Sequence, residues 1–178
     1  SSNRVASKVV AMLNDNFKYD EELSKNMEAH LVSELDFVHE AKNARRCANN
    51  FADDGRLYVP EVFDQLTSKN VMTMEFIDGV KANDIESMKR MGISTKEVGT
   101  IIFDTLSRQV FEHGFVHADP HPGNVFVRAI KDEKGMKKTQ VVLLDHGLYT
   151  EIDDTFRKQY ATLWKDLVTR DMEGFNKT

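Results

Sequence analysis

His117-Ala118-Asp119-Pro120-His121-Pro122-Gly123-Asn124 is followed, 21 residues after Asn124, by Asp145-His146-Gly147. Taken singly, Asp119-Pro120 and Pro122-Gly123-Asn124 are ordinary turn chemistry. Taken together they form a more demanding pattern. An aspartate and an asparagine stand five apart on one loop, with a second aspartate on a following turn, as kinase-type phosphoryl transfer requires. In that chemistry Asp119 accepts a proton from the attacking hydroxyl or orients water. Asn124 offers a neutral oxygen and Asp145 an anionic one. Mg2+ prefers hard oxygen ligands and keeps several waters, so one amide and one carboxylate suffice to hold it beside the phosphates of ATP. His117 and His121 do not complete a zinc site, because no further nitrogen or sulfur ligand stands at a familiar spacing. His117 is read as holding the loop through a ring hydrogen bond, and His146 as filling space after Asp145.

The flanking sequence supplies the scaffold. Val125–Val127 and Val141–Leu144 are short apolar runs on either side of a polar tip, residues 131–139, and predict a hairpin that places Asn124 and Asp145 at neighbouring strand ends. Upstream, Ser94 or Thr95 caps a helix that runs to about His113 and stops at Gly114. Lys81–Met91 predicts a shorter helix ending at Gly92. Downstream, an amphipathic helix covers about 153–168, with Phe156, Tyr160, Leu163, Trp164 and Leu167 on one side. Val71–Ile77 predicts a strand closed by the Asp78-Gly79 turn. Residues 5–14 mix apolar and polar positions at helical spacing. Residues 20–52 predict a longer helix, with Asp20 as its cap and an apolar stripe at Leu23, Met27, Leu31, Leu35 and Val38. The order of elements is that of an α+β chain with helix in excess.

Composition narrows the function classes. The chain has 178 residues, 40% of them hydrophobic and 30% charged, which suits one soluble, core-forming domain or a large part of one. Its net charge of −5 argues against a general nucleic-acid binder. The single cysteine, Cys47, excludes an intrachain disulfide and a cysteine-based zinc cluster. No apolar run has the roughly 20 residues of a membrane-spanning helix, and no secretory h-region follows Ser1. The start at Ser1 rather than Met suggests a chain cut from something longer.

Two further segments bear on the site. On a helix, Asp36, Glu40 and Asn43 fall on one face at steps of four and three, with Glu34 about 200° from Asp36. The bland reading is a solvated acidic face balanced by Lys42, Arg45 and Arg46. The second segment, Met74-Glu75-Phe76-Ile77-Asp78-Gly79, resembles the hinge of a kinase fold. There the backbone carbonyl of Glu75 and the amide of Ile77 would hold adenine, with Met74 as gatekeeper.

HADPHPGN (117–124), LLDHGLY (143–149) and ELDFVHEAKNA (34–44) resemble the UbiB/ADCK family of atypical kinases over about residues 20–170. The resemblance implies a protein-kinase-like fold divided into a helical region with a partial N-lobe over 1–70, a hinge over 71–79 and a C-lobe over 80–178. It implies that Glu34 and Asp36 form a Glu-x-Asp motif facing an N-terminal extension with a Lys-x-Gly-Gln motif, and that Glu40 pairs the nucleotide-binding lysine. It also implies ATP hydrolysis more than protein phosphorylation, with ties to ubiquinone biosynthesis or lipid homeostasis. Lipid- or quinone-pathway partners, peripheral membrane association and a mitochondrial setting follow from the same resemblance. His-Ala-Asp and Asp-His-Gly replace the usual His-Arg-Asp and Asp-Phe-Gly, and no Ala-Pro-Glu follows, which departs from ordinary protein kinases.

A glycine-rich loop, a Walker pattern, a Val-Ala-x-Lys strand and Lys-x-Gly-Gln are not found in the sequence. Under the resemblance they would precede Ser1, so the segment alone would lack part of the ATP site. Two rival readings remain. One is a small-molecule phosphotransferase of the aminoglycoside or choline kinase type, which also uses a His-x-Asp…Asn loop and a later Asp. The other is a non-catalytic pseudokinase module.

Overall fold

A computed structural model describes residues 36–170. Helix α1 (Phe37–Asn50) leads to the short strand β1 (Leu57–Tyr58), and β2 (Val80–Lys81) precedes helices α2 (Ile85–Arg90) and α3 (Thr95–Arg108). Strands β3 (Phe115–His117), β4 (Val125–Lys131), β5 (Lys137–Leu143) and β6 (Tyr149–Glu151) follow, and α4 (Asp154–Thr169) closes the described chain. The strands form a four-stranded sheet in the order β1-β5-β4-β2 and a separate pair, β3-β6.

The hairpin β4–β5 is the spine. Its antiparallel register runs from Val125↔Leu143 to Lys131↔Lys137. Asp132 closes it by accepting the amides of Lys134 and Met136, and Gly135 supplies the left-handed turn residue at φ +76°. Both strands reach further toward the tip than their apolar runs predict. Arg128 explains part of this: it donates to Gln140 across the hairpin and lies over the Tyr58 ring at 4.5 Å. On β5, every residue from Thr139 to Leu143 is buried. That burial follows from its central place, with β1 parallel on one side (Leu57↔Val141) and β4 on the other. Val127, Val141 and Val142 are fully enclosed, and Val127 and Val141 share a core with Cys47, Phe51, Met88 and Ile101. Each enclosed valine contributes roughly 1.5–3 kcal/mol by leaving water.

Several sequence expectations need correction. The long helix predicted over 20–52 begins, within the described residues, at Phe37; Asp36 is not on its face but at its N-cap, accepting the amides of Val38 and His39. A short carboxylate that can bond the free amides of a first turn favours this position over a mid-helix one. Asp20, the stripe from Leu23 to Leu35, and residues 5–14 lie outside the described residues. Val71–Ile77 is extended but forms no continuous ladder: isolated bridges join Val62 to Met74 and Ser68 to Val71. The Glu61 amide, which a further rung would use, turns instead to the Glu75 carboxylate at 3.4 Å. The helix predicted to run from 95 to His113 is α-helical only to Arg108 and then widens into a π-helical turn, Gln109–His113. The apolar side of α4 is only partly covered: Tyr160 stacks on Phe111 at 5.7 Å, while Phe156, Trp164 and Leu167 are exposed.

Among the described residues, no helix is long and apolar enough to cross a membrane.

Candidate active site

Asn124 and Asp145 meet because the hairpin ends there. Asn124 closes a one-turn 3-10 helix, Pro122–Asn124, immediately before β4, and Asp145 lies two residues beyond the end of β5. Leu144 donates its amide to the carbonyl of Asn124 at 3.0 Å, which extends the ladder by one rung. The side chains then converge, with Asn124 Nδ2 donating to Asp145 Oδ2 at 2.7 Å. The second carboxylate oxygen, Oδ1, accepts the amide of Gly147 at 2.9 Å.

His117 joins the two loops. Its Nδ1 accepts the amide of Asp119 at 3.1 Å, so the ring proton sits on Nε2 and is donated to the carbonyl of Asp145 at 3.0 Å. Burial holds the imidazole neutral by lowering its pKa, against the pull of Asp145. Asp119 itself is exposed at the mouth of the same loop. The loop is further tied by Ala118, whose amide donates to the carbonyl of Leu148, and by Gln109, whose Oε1 accepts the amide of His117 at 3.0 Å. Gln109 is 1% exposed and lies on the π-helical turn. A glutamine in an unbroken helical pattern gives no sequence signal for this task.

Asp145 is followed by a clamped residue. The amide of His146 donates to Glu40 Oε1 at 3.1 Å, and its carbonyl accepts from Asn43 Nδ2 at 3.0 Å. Its ring Nε2 donates to the Leu143 carbonyl, and its Nδ1 accepts from the Tyr149 hydroxyl. Burial pushes the His146 imidazole down to about 4. Burial also raises the Glu40 carboxyl above the usual range, reinforced by the charge of Asp145 and opposed by the His146 amide.

Of these residues, Glu40, His117, Asp119, Asn124 and Asp145 line one cleft of about 750 Å³. Glu40, Asp119, Asn124 and Asp145 form its polar wall, and Phe37, Val71, Met72 and Met74 contribute apolar surface. The cleft thus joins an apolar slot to a cluster of oxygen ligands, the arrangement that suits a flat base and a phosphate tail. Of the other site residues read from the sequence, Asp36 lies one residue outside the cleft wall as a helix cap. The Glu75 carboxylate accepts from Tyr58 and is turned to the sheet, while Ile77 is buried; neither side chain lines the cleft. Glu34 lies outside the described residues. Asn124 and Asp145 bring an amide and a carboxylate side by side, the contact itself made by the Asn124 nitrogen, and their oxygens are of the hard kind that would suit a magnesium ion.

A model of the ABC1 atypical kinase-like domain matches residues 2–178. The chain belongs to this family. ABC1 relatives include a probable serine/threonine-protein kinase, abkD, of Dictyostelium discoideum, 42% identical over 82% of this chain and 21% of its own length. A putative ABC1 protein of Arabidopsis thaliana is 39% identical over 87% of this chain and 30% of its own. AarF domain-containing protein kinase 1 of Mus musculus is 39% identical over 83% and 28%. This ABC1 chain therefore spans less than a third of the length of these curated relatives. Among solved structures, Rv3197 of Mycobacterium tuberculosis, determined with erythromycin, aligns with a TM-score of 0.55 and 21% identity over 82% of this chain and 34% of that one. The family read from HADPHPGN and LLDHGLY and the α+β kinase-like fold are thereby both established.

Proposed function

We propose that this ABC1 domain carries the catalytic and metal-binding half of a site for ATP- and magnesium-dependent phosphoryl transfer or ATP hydrolysis. The observation that supports this most directly is the 2.7 Å contact between Asn124 and Asp145 in a cleft that also opens on Asp119. Asn124 and Asp145 would hold the ion; when bound, magnesium supplies positive charge against the phosphate oxygens. Asp119, exposed beside them, accepts the proton of the attacking hydroxyl or orients a water. His117 keeps Asp119 and Asp145 in register without exchanging its own proton. The apolar wall at Met72 and Met74 receives the base, with the backbone of Glu75 and Ile77 at its edge and Met74 as gatekeeper.

In the complete protein, Glu40 pairs a phosphate-binding lysine, and Glu34 with Asp36 faces a preceding Lys-x-Gly-Gln segment. Water or a small acceptor, rather than a protein hydroxyl, takes the phosphoryl group. A role in ubiquinone or lipid metabolism at a mitochondrial membrane, with partners from those pathways, is part of the same reading.

The test is a thermal-shift titration of the complete protein with ATP, with and without magnesium. A ligand that binds only the folded state raises its melting temperature, by about 2.7 kcal/mol of stabilisation at a hundredfold excess over Kd. A shift that requires magnesium is expected. No shift with either would overturn the ATP reading and favour a non-catalytic binding module.

A further inference from the structure

We infer that Asn43 is a positioning residue for the metal-binding turn, acting through the peptide of His146. The inference rests on the proposed magnesium site at Asn124 and Asp145. Helix α1 grips one residue of the turn with two of its side chains, three positions apart and so on the same face. Glu40 takes the His146 amide and Asn43 supplies a donor to the His146 carbonyl, at 3.1 and 3.0 Å. The grip is long-range in sequence, and both anchors are buried, with Asn43 7% and His146 1% exposed. No polar group of His146 is left over: the ring nitrogens are taken by Leu143 and Tyr149.

The position of Asp145 follows from this. Its carboxylate orientation is fixed by Asn124 on one oxygen and the Gly147 amide on the other. The Gly147 amide can point that way only while the His146 peptide plane is held, because that plane and the next share one α-carbon. Asn43 holds the carbonyl end of the His146–Gly147 peptide, the same planar unit whose nitrogen bonds Asp145 Oδ1. The bond from Asn43 is thus transmitted through one rigid peptide to the carboxylate. Glu40 cannot replace it, because a carboxylate accepts and the carbonyl of His146 needs a donor.

The variant Asn43→Leu keeps the branching and heavy-atom count of the side chain and removes the donor. Removing a bond to a buried carbonyl changes a local equilibrium by about tenfold. In the complete protein without nucleotide, amide exchange over residues 144–149 should accelerate about tenfold, while exchange over 125–131 stays as in the parent. With ATP present, the magnesium concentration for half-maximal binding should rise about tenfold, and ATP binding in the absence of magnesium should not change. Unchanged exchange over 144–149 in a folded variant overturns the inference, as does an unchanged magnesium requirement in a protein whose parent shows one. A helix residue with a merely structural role would speed exchange over 125–131 as well. Should Asn43→Leu not fold, Asn43→Ala, a strong helix former that also lacks the donor, gives the same two readouts. A parent that binds no nucleotide sinks the proposed function, and the exchange experiment still decides whether Asn43 holds the turn.

Discussion

Asn124 and Asp145, at the open end of the β4–β5 hairpin, are joined side chain to side chain at 2.7 Å, with their backbones bridged through Leu144. The hairpin β4–β5 therefore acts as a caliper: its register sets how far apart the two proposed metal ligands stand. Placement of these two residues at strand ends rather than on a long loop holds them rigidly.

Asp145→Asn removes the only negative charge of the pair while keeping its size. Magnesium-dependent binding of ATP should weaken at least about 100-fold, the upper end of what loss of a mere outer-shell partner does to metal affinity. Isothermal titration with and without magnesium measures it. Equal affinity in parent and variant would show that Asp145 holds no metal.

Asp119→Asn separates chemistry from binding. The side chain is exposed and its amide, not its carboxylate, holds the loop to His117. ATP–magnesium affinity should stay within about twofold, and turnover should fall by roughly 10²–10⁴, the range of general acid–base contributions. Phosphate release measured at saturating ATP checks this.

Gly114→Ala should destabilise the protein by more than about 1 kcal/mol. The residue ends the π-helical turn at φ +60°, and an added Cβ would stand 3.0 Å from the carbonyl of Ile152. That carbonyl cannot move freely, since the amide of Ile152 is bonded to Gly114 itself. Both the left-handed backbone and the contact oppose a side chain. Urea denaturation of parent and variant reads the difference. Val141→Ala, in the same assay, should cost about 2 kcal/mol, from two lost methyl-sized groups and the space they leave.

Acid should unfold the metal-free protein earlier than its carboxylates alone would. His113, His117 and His146 all have their pKa lowered, chiefly by burial, and His146 lies at about 4. The unfolded chain binds protons near pH 6.5 that the folded chain refuses, so stability is complete above that pH and is lost as pH falls through it toward 4. For His146 alone the loss approaches about 3 kcal/mol by pH 4. Urea midpoints at pH 7.5 and 5.0 should differ in that direction, and a higher midpoint at pH 5.0 would contradict it.

The turn and strands that carry the proposed site residues were legible because loop chemistry is local. Pro122, Gly123 and Asn124 announce a turn, the valines on either side announce strands, and the pairing follows from the short connection between them. The clamp was not legible, since Glu40 and Asn43 reach a residue more than a hundred positions away. Periodicity put Asp36 on the same face as these two, whereas its side chain bonds its own helix end. The π-helical turn was invisible for a similar reason. One extra residue in a helix leaves the apolar pattern nearly intact, and only the bond from Gln109 to His117 reveals its purpose. The bare side of α4 departs from its pattern too: an apolar stripe states which face can be buried, not that something buries it.

Strand β1 pairs in parallel with β5, across most of the described chain, whereas β4 and β5 are joined by a tight turn. The hairpin can close within microseconds of its synthesis, but the parallel partner must search for it through a long intervening segment. The strand ends that carry Asn124 and Asp145 meet through a short connection, whereas the helix that steadies them must be reached across more than a hundred residues. During translation the same separation means that β1 emerges well before the strand it pairs with, which is complete only once residue 143 has been made.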